Sequence, residues 1–72
     1  LYPNPVATQL TVESRQDYRL ELYDASGRRV LDARYAEGVT QVEMGDLPAG
    51  TYVVKLIPAD REMATTVRIV KE

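Results

Sequence analysis

The chain has 72 residues, with 9 basic and 11 acidic side chains spread along it and a net charge of −2. That is room for one small domain, which buries only roughly 60% of its unfolded surface and has a stability margin on the order of 5 kcal/mol. No basic run points to nucleic acid, no apolar stretch approaches the ~20 residues of a membrane-spanning helix, and without Cys or His there are no disulfides, thiol nucleophiles, imidazole bases or usual zinc ligands.

The first residues, Tyr2, Pro3, Asn4 and Pro5, are too proline-rich for a sheet interior. They are expected as a stiff, extended lead-in over residues 1–8 from an upstream linker, and the chain reads as a piece of a longer protein. From there the hydrophobic period is two. "LTVE" puts Leu10 and Val12 on one face, a strand over 9–13. "YRLELYD" alternates Tyr18, Leu20 and Leu22 with Arg19, Glu21 and Tyr23, a strand over 18–24 with Tyr23 outward and available for a partner contact. "DASG" then supplies a turn, with an Asp24 carboxylate that can bond its own backbone and a Gly27 able to take positive φ. In "RRVLDARY" (28–35) Val30 and Leu31 are adjacent, which predicts a bulge. Arg28 and Arg29 at the hairpin exit are read as ordinary exposed charge.

"TQVEM" places Val42 and Met44 together in a strand over 39–44. "GDLPAG" is an emphatic stop, in which Pro48 fixes φ for a turn and Gly50 supplies the positive φ that leads into the next strand. In "TYVVKLI" (51–57) Tyr52, Val54 and Leu56 share one face, and Val53, Lys55 and Ile57 the other. Apolar residues on both faces predict a central strand. "PADRE" breaks the chain once more, and a last strand over 63–71 turns Val67 and Ile69 inward and Thr66, Arg68 and Val70 outward, with Lys71 and Glu72 expected at its exposed end. No window carries a convincing 3.6-residue period. Six or seven short strands with turns every 8–12 residues predict an all-β antiparallel sandwich. Its core is expected to hold Leu20, Leu22, Tyr52, Val54, Leu56, Val67 and Ile69, with Tyr18 and Tyr35 as further core aromatics.

The order of these segments is more specific than any one of them. "YPNP" (Tyr2, Pro3, Asn4, Pro5) precedes the first strand. "LELYDASGRRV" follows, with Tyr23, Asp24 and Gly27. Then come "DLPAGTYVVKL", with Leu47, Pro48, Gly50 and Tyr52, and "VRIVKE", with Val67, Ile69, Val70 and Lys71. In this order and spacing, over nearly all of the chain, the sequence resembles the C-terminal sorting domain of the bacterial type IX secretion system. It departs from that family's frequent basic terminus only in that Glu72 follows Lys71.

The resemblance implies an immunoglobulin-like sandwich over residues 1–72 at the C-terminus of a cargo protein. It implies a sorting signal, not an enzyme. The cargo would reach the periplasm by its own N-terminal signal and then cross the outer membrane to the cell surface or the medium. The implied partners are that cargo and the secretion machinery, namely an outer-membrane translocon and a sortase-like surface peptidase that commonly removes the domain. No cofactor, metal or nucleic acid is implied.

The residues themselves agree in offering no reactive constellation. The carboxylates form no calcium-loop pattern, and Asp24, Asp46 and Asp60 fall in predicted turns. Recognition must then use a folded shape and the open edge of a sheet, which also makes edge-strand self-association a candidate. A structural or carbohydrate-binding immunoglobulin-like accessory module of a secreted protein is the alternative, since a fold does not fix a function. Position in the precursor separates the two, because a sorting domain must be the last element.

Overall fold

The structure, a computed structural model, describes residues 6–60 and 63–72. Six strands follow in order: β1 (Gln9–Ser14), β2 (Tyr18–Tyr23), β3 (Arg29–Tyr35), β4 (Gly38–Glu43), β5 (Gly50–Pro58) and β6 (Thr65–Lys71), with no helix among the described residues. β1 and β4 form a two-stranded sheet, and β3-β2-β5-β6 a four-stranded one, every pairing between strands being antiparallel. β5 is interior, between β2 and β6, as its two apolar faces require. The fold is thus an all-β, immunoglobulin-like sandwich of six strands.

The core lies between the sheets. Leu10, Val12, Val42 and Met44 face Leu20, Leu22, Val54 and Ile69, and Tyr18 and Tyr52 are buried beside them. Of the expected core, Leu56 and Val67 are only half-buried and pack against its margin, as does Tyr35. The difference runs along the strands: Tyr52 and Val54 on β5 and Ile69 on β6 are buried, whereas Leu56 and Val67 lie further toward the β5–β6 connection, where Thr65 and Thr66 beside them are exposed.

The adjacency of Val30 and Leu31 resolves as a bulge. Leu22 opposes Leu31 and Tyr23 opposes Arg29, so Val30 has no partner of its own. This extra residue changes the facing of everything before it. Arg29 and Asp32, three apart, would point to opposite faces of a regular strand. With Val30 inserted both reach the outer face, and their side chains meet at 3.4 Å.

Candidate recognition site

The β2–β3 turn is built by Asp24. Its Oδ1 accepts from the Ser26 hydroxyl at 2.6 Å and from the backbone N–H groups of Ser26 and Arg28, both at 3.0 Å. Gly27 sits at φ 89°, its N–H donating to the Asp24 carbonyl at 3.0 Å. Donation from the Ser26 hydroxyl, above all, and from the two backbone N–H groups holds the Asp24 carboxyl below its ordinary value.

The β4–β5 connection is tied as tightly. Leu47 N–H donates to the Met44 carbonyl at 3.0 Å, the Leu47 side chain packs on the core margin, and Gly50 enters β5 at φ 151°. The buried Tyr52 then reaches back, its hydroxyl donating to the Pro48 carbonyl at 2.6 Å. A core tyrosine whose polar end secures the preceding turn is the device of the tyrosine corner in immunoglobulin-like domains. It joins Leu47, Pro48, Gly50 and Tyr52 into one unit.

Register brings these units to one pole of the four-stranded sheet. Tyr23 at the end of β2 opposes Val53, while Thr51 and Gly50 at the start of β5 oppose Val70 and Lys71 at the end of β6. Ile69 opposes Tyr52 and Val67 opposes Val54, one step further along. Val6 closes the pole by pairing parallel to Lys71, its N–H donating to the Val70 carbonyl at 2.7 Å and its carbonyl accepting from Glu72 N–H at 2.8 Å. Tyr2, Pro3, Asn4 and Pro5 lie outside the described residues, but the residue that follows them is held at this same pole.

Lys71 corrects an expectation. It is not at an exposed end: only 7% of it is accessible, and its Nζ donates to the Glu72 carbonyl at 2.7 Å. The cause is the strand period itself, which places Lys71 on the inward face with Ile69 and Val67. Val6 then covers the aliphatic stem while the ammonium reaches a carbonyl at the rim. Val70, one residue earlier, points outward and is 45% exposed.

The outer face of this sheet carries a network not anticipated from the sequence. Arg19 grips Asp32 with both arms, at 2.8 and 2.7 Å. Arg19 and Arg29 also flank Glu21, at 3.3 and 3.2 Å, and Tyr23 donates its hydroxyl to Glu21 at 3.0 Å. Glu21 is buried although it faces outward, and these three donors compensate its desolvation. Asp32 is held below its ordinary value, chiefly by the Arg19 hydrogen bond, and Arg19 is raised for the same reason. The Tyr23 hydroxyl is raised chiefly by its bond to Glu21. So Tyr23 does face outward, but it is half-buried and tied down. The alternation of Arg19 and Glu21 was legible; their partners were not, because the bulge decides which β3 charges share their face. Arg28 remains an exposed charge, 3.6 Å from Asp24.

At the opposite pole an open depression of about 710 Å³ lies among residues that include Asp17, Tyr18, Arg34, Tyr35 and Pro58. The Tyr18 and Tyr35 rings meet there at 5.7 Å, and burial raises the Tyr35 hydroxyl. It holds none of the described sorting-motif residues. Among the described residues no group of three or more Asp or Glu side chains is placed to hold a metal ion, and no helix is long and apolar enough to cross a membrane.

Neither the curated proteins nor the solved structures yield a match to the chain. The family model described as the secretion system C-terminal sorting domain matches residues 1–72. The chain belongs to that family, the C-terminal sorting domains of type IX secretion.

Proposed function

We propose that this chain is the signal by which an attached cargo, once in the periplasm, is carried through the outer membrane by the type IX translocon, and that a sortase-like peptidase at the surface recognises or removes it. What carries the reading is the family match over residues 1–72. The convergence of Tyr23, Asp24, Gly50, Tyr52, Val70 and Lys71 at one pole of the sheet supports it. Among the described residues the sorting motifs act as a built surface: they form turns, strand ends and core, and together they fix one end of the sandwich. In this reading residues 1–8 are the lead-in from the cargo.

The test attaches the chain to the C-terminus of a folded periplasmic reporter in a host that has the secretion system. The reporter should appear at the surface or in the medium, and should remain periplasmic when residues 67–72 are deleted. Export of the reporter without the domain, or retention with it intact, would reject sorting and leave the accessory-module reading in its place.

A further inference from the structure

The outer face of the β3-β2-β5-β6 sheet is basic in a protein that is acidic overall. Alternation and register place Arg34, Lys55 and Arg68 on it, beside Arg19 and Arg29, against only two carboxylates, Glu21 and Asp32. The outer face of the β1–β4 sheet is the reverse, with Glu13 and Glu43 and no basic residue. Arg19 and Arg29 are engaged by Asp32 and Glu21. Arg34, Lys55 and Arg68 form no ion pair among the described residues, and Arg34 and Arg68 are exposed at diagonally opposite corners.

We infer that this face docks onto an acidic protein surface of the secretion machinery, an assignment that rests on the sorting reading above. Two observations favour a protein over an anionic membrane or polysaccharide. Half-buried Tyr23, Val53 and Ile57 and exposed Val70 lie among the cations, the mixture of aromatic, aliphatic and arginine side chains that protein interfaces use. The unengaged charges are only three and are spread apart, whereas attraction to an anionic lipid surface takes a cluster of about four to eight. A second copy meeting this face with its own is disfavoured by charge, since it would set one basic face against another.

The test is made in the full precursor. R34E/R68E should fold, since neither side chain forms an ion pair among the described residues, and should reduce export at least tenfold with precursor retained in the periplasm. R15E/Q41E, which shifts the net charge in the same direction at exposed positions off this sheet and away from the β2–β3 turn, should export as wild type. If R34E/R68E does not melt as wild type does, R34Q/R68Q takes its place and should lower export severalfold. Selection for restored export of the reversed variant should return acidic-to-basic changes in a protein of the machinery. Suppressors in lipid or polysaccharide synthesis, or co-sedimentation of the wild-type precursor with phosphatidylglycerol vesicles that R34E/R68E abolishes, would overturn the protein partner. Normal export of R34E/R68E, with export lost on deleting the whole domain, overturns the docking face and leaves sorting standing. Normal export without the domain overturns both.

Discussion

Replacing Lys71 separates what its stem does from what its charge does. The side chain lies on the inward face, 7% accessible, under Val6 and beside the β5 start, with Nζ on the Glu72 carbonyl. Lys71→Ala removes three methylenes beyond Cβ, about 0.8 kcal/mol each when buried, and a hydrogen bond with a net contribution of about 1 kcal/mol. The expected cost is therefore about 3–4 kcal/mol, most of a margin near 5 kcal/mol. Lys71→Met keeps nearly all the stem volume and loses only the donor, so it should cost within about 1 kcal/mol. Urea unfolding followed by circular dichroism is the assay. With a slope of about 1 kcal/mol per molar for a domain this small, the midpoint should fall by about 3–4 M for Ala and by less than about 1 M for Met. Equal shifts would put the contribution in the ammonium. No shift in either variant would return Lys71 to an exposed strand end and refute the packing argument.

Gly50→Val should destabilise by about 1 kcal/mol or more, because φ 151° is unfavourable for a β-branched residue, while the space around the site is open and adds no clash. A thermal melt unchanged from wild type would show that the backbone relaxes there at no cost. Stability should also fall on acidification through Asp32. Its pKa is depressed in the folded state, so its contribution is complete above the ordinary value of 3.8 and is lost as pH falls through the lower folded value. Asp32→Asn should flatten the pH dependence of the melting temperature below about pH 4, and an unaltered slope would count against the Arg19 bond as its cause.

The strands were legible because period-two patterning and turn chemistry are local. Tyr18, Leu20 and Leu22 alternate visibly, "DASG" and "GDLPAG" each carry a residue whose geometry stops a strand, and two adjacent apolar residues betrayed the bulge at Val30. What escaped reading depends on tertiary placement. The bulge could be seen, but a one-residue difference in its position reverses the face of Arg29, so the ion network around Glu21 could not be assembled. The Val6–Lys71 pairing joins opposite ends of the chain through a single bridge and leaves no periodic trace. Lys71 is expected outside because it closes the last strand, although the same alternation that turns Val67 and Ile69 inward also turns Lys71 inward. The partial exposure of Leu56 and Val67 follows from their level along β5 and β6, which the rest of the fold covers less than the level of Val54 and Ile69, and no segment of their own sequence encodes that.

The motifs shared with the family and the surface inferred to meet the partner therefore overlap only at Tyr23 and Val70, for a physical reason. Asp24, Gly27, Pro48, Gly50, Tyr52 and Lys71 are occupied in making the pole: their polar groups are bonded to backbone, or their conformations are fixed by the turns they form. A change in any of them alters the shape and the stability of the domain together, so a loss of export on mutating them cannot distinguish recognition from folding. Arg34, Lys55 and Arg68 are the complementary case, because the fold draws no ion pair from them among the described residues. A side chain that the fold does not use can be reversed in charge while the sandwich persists. If a receptor reads the sheet, the effect of such a reversal belongs to the encounter alone, and an electrostatic contribution to that encounter weakens as salt screens it.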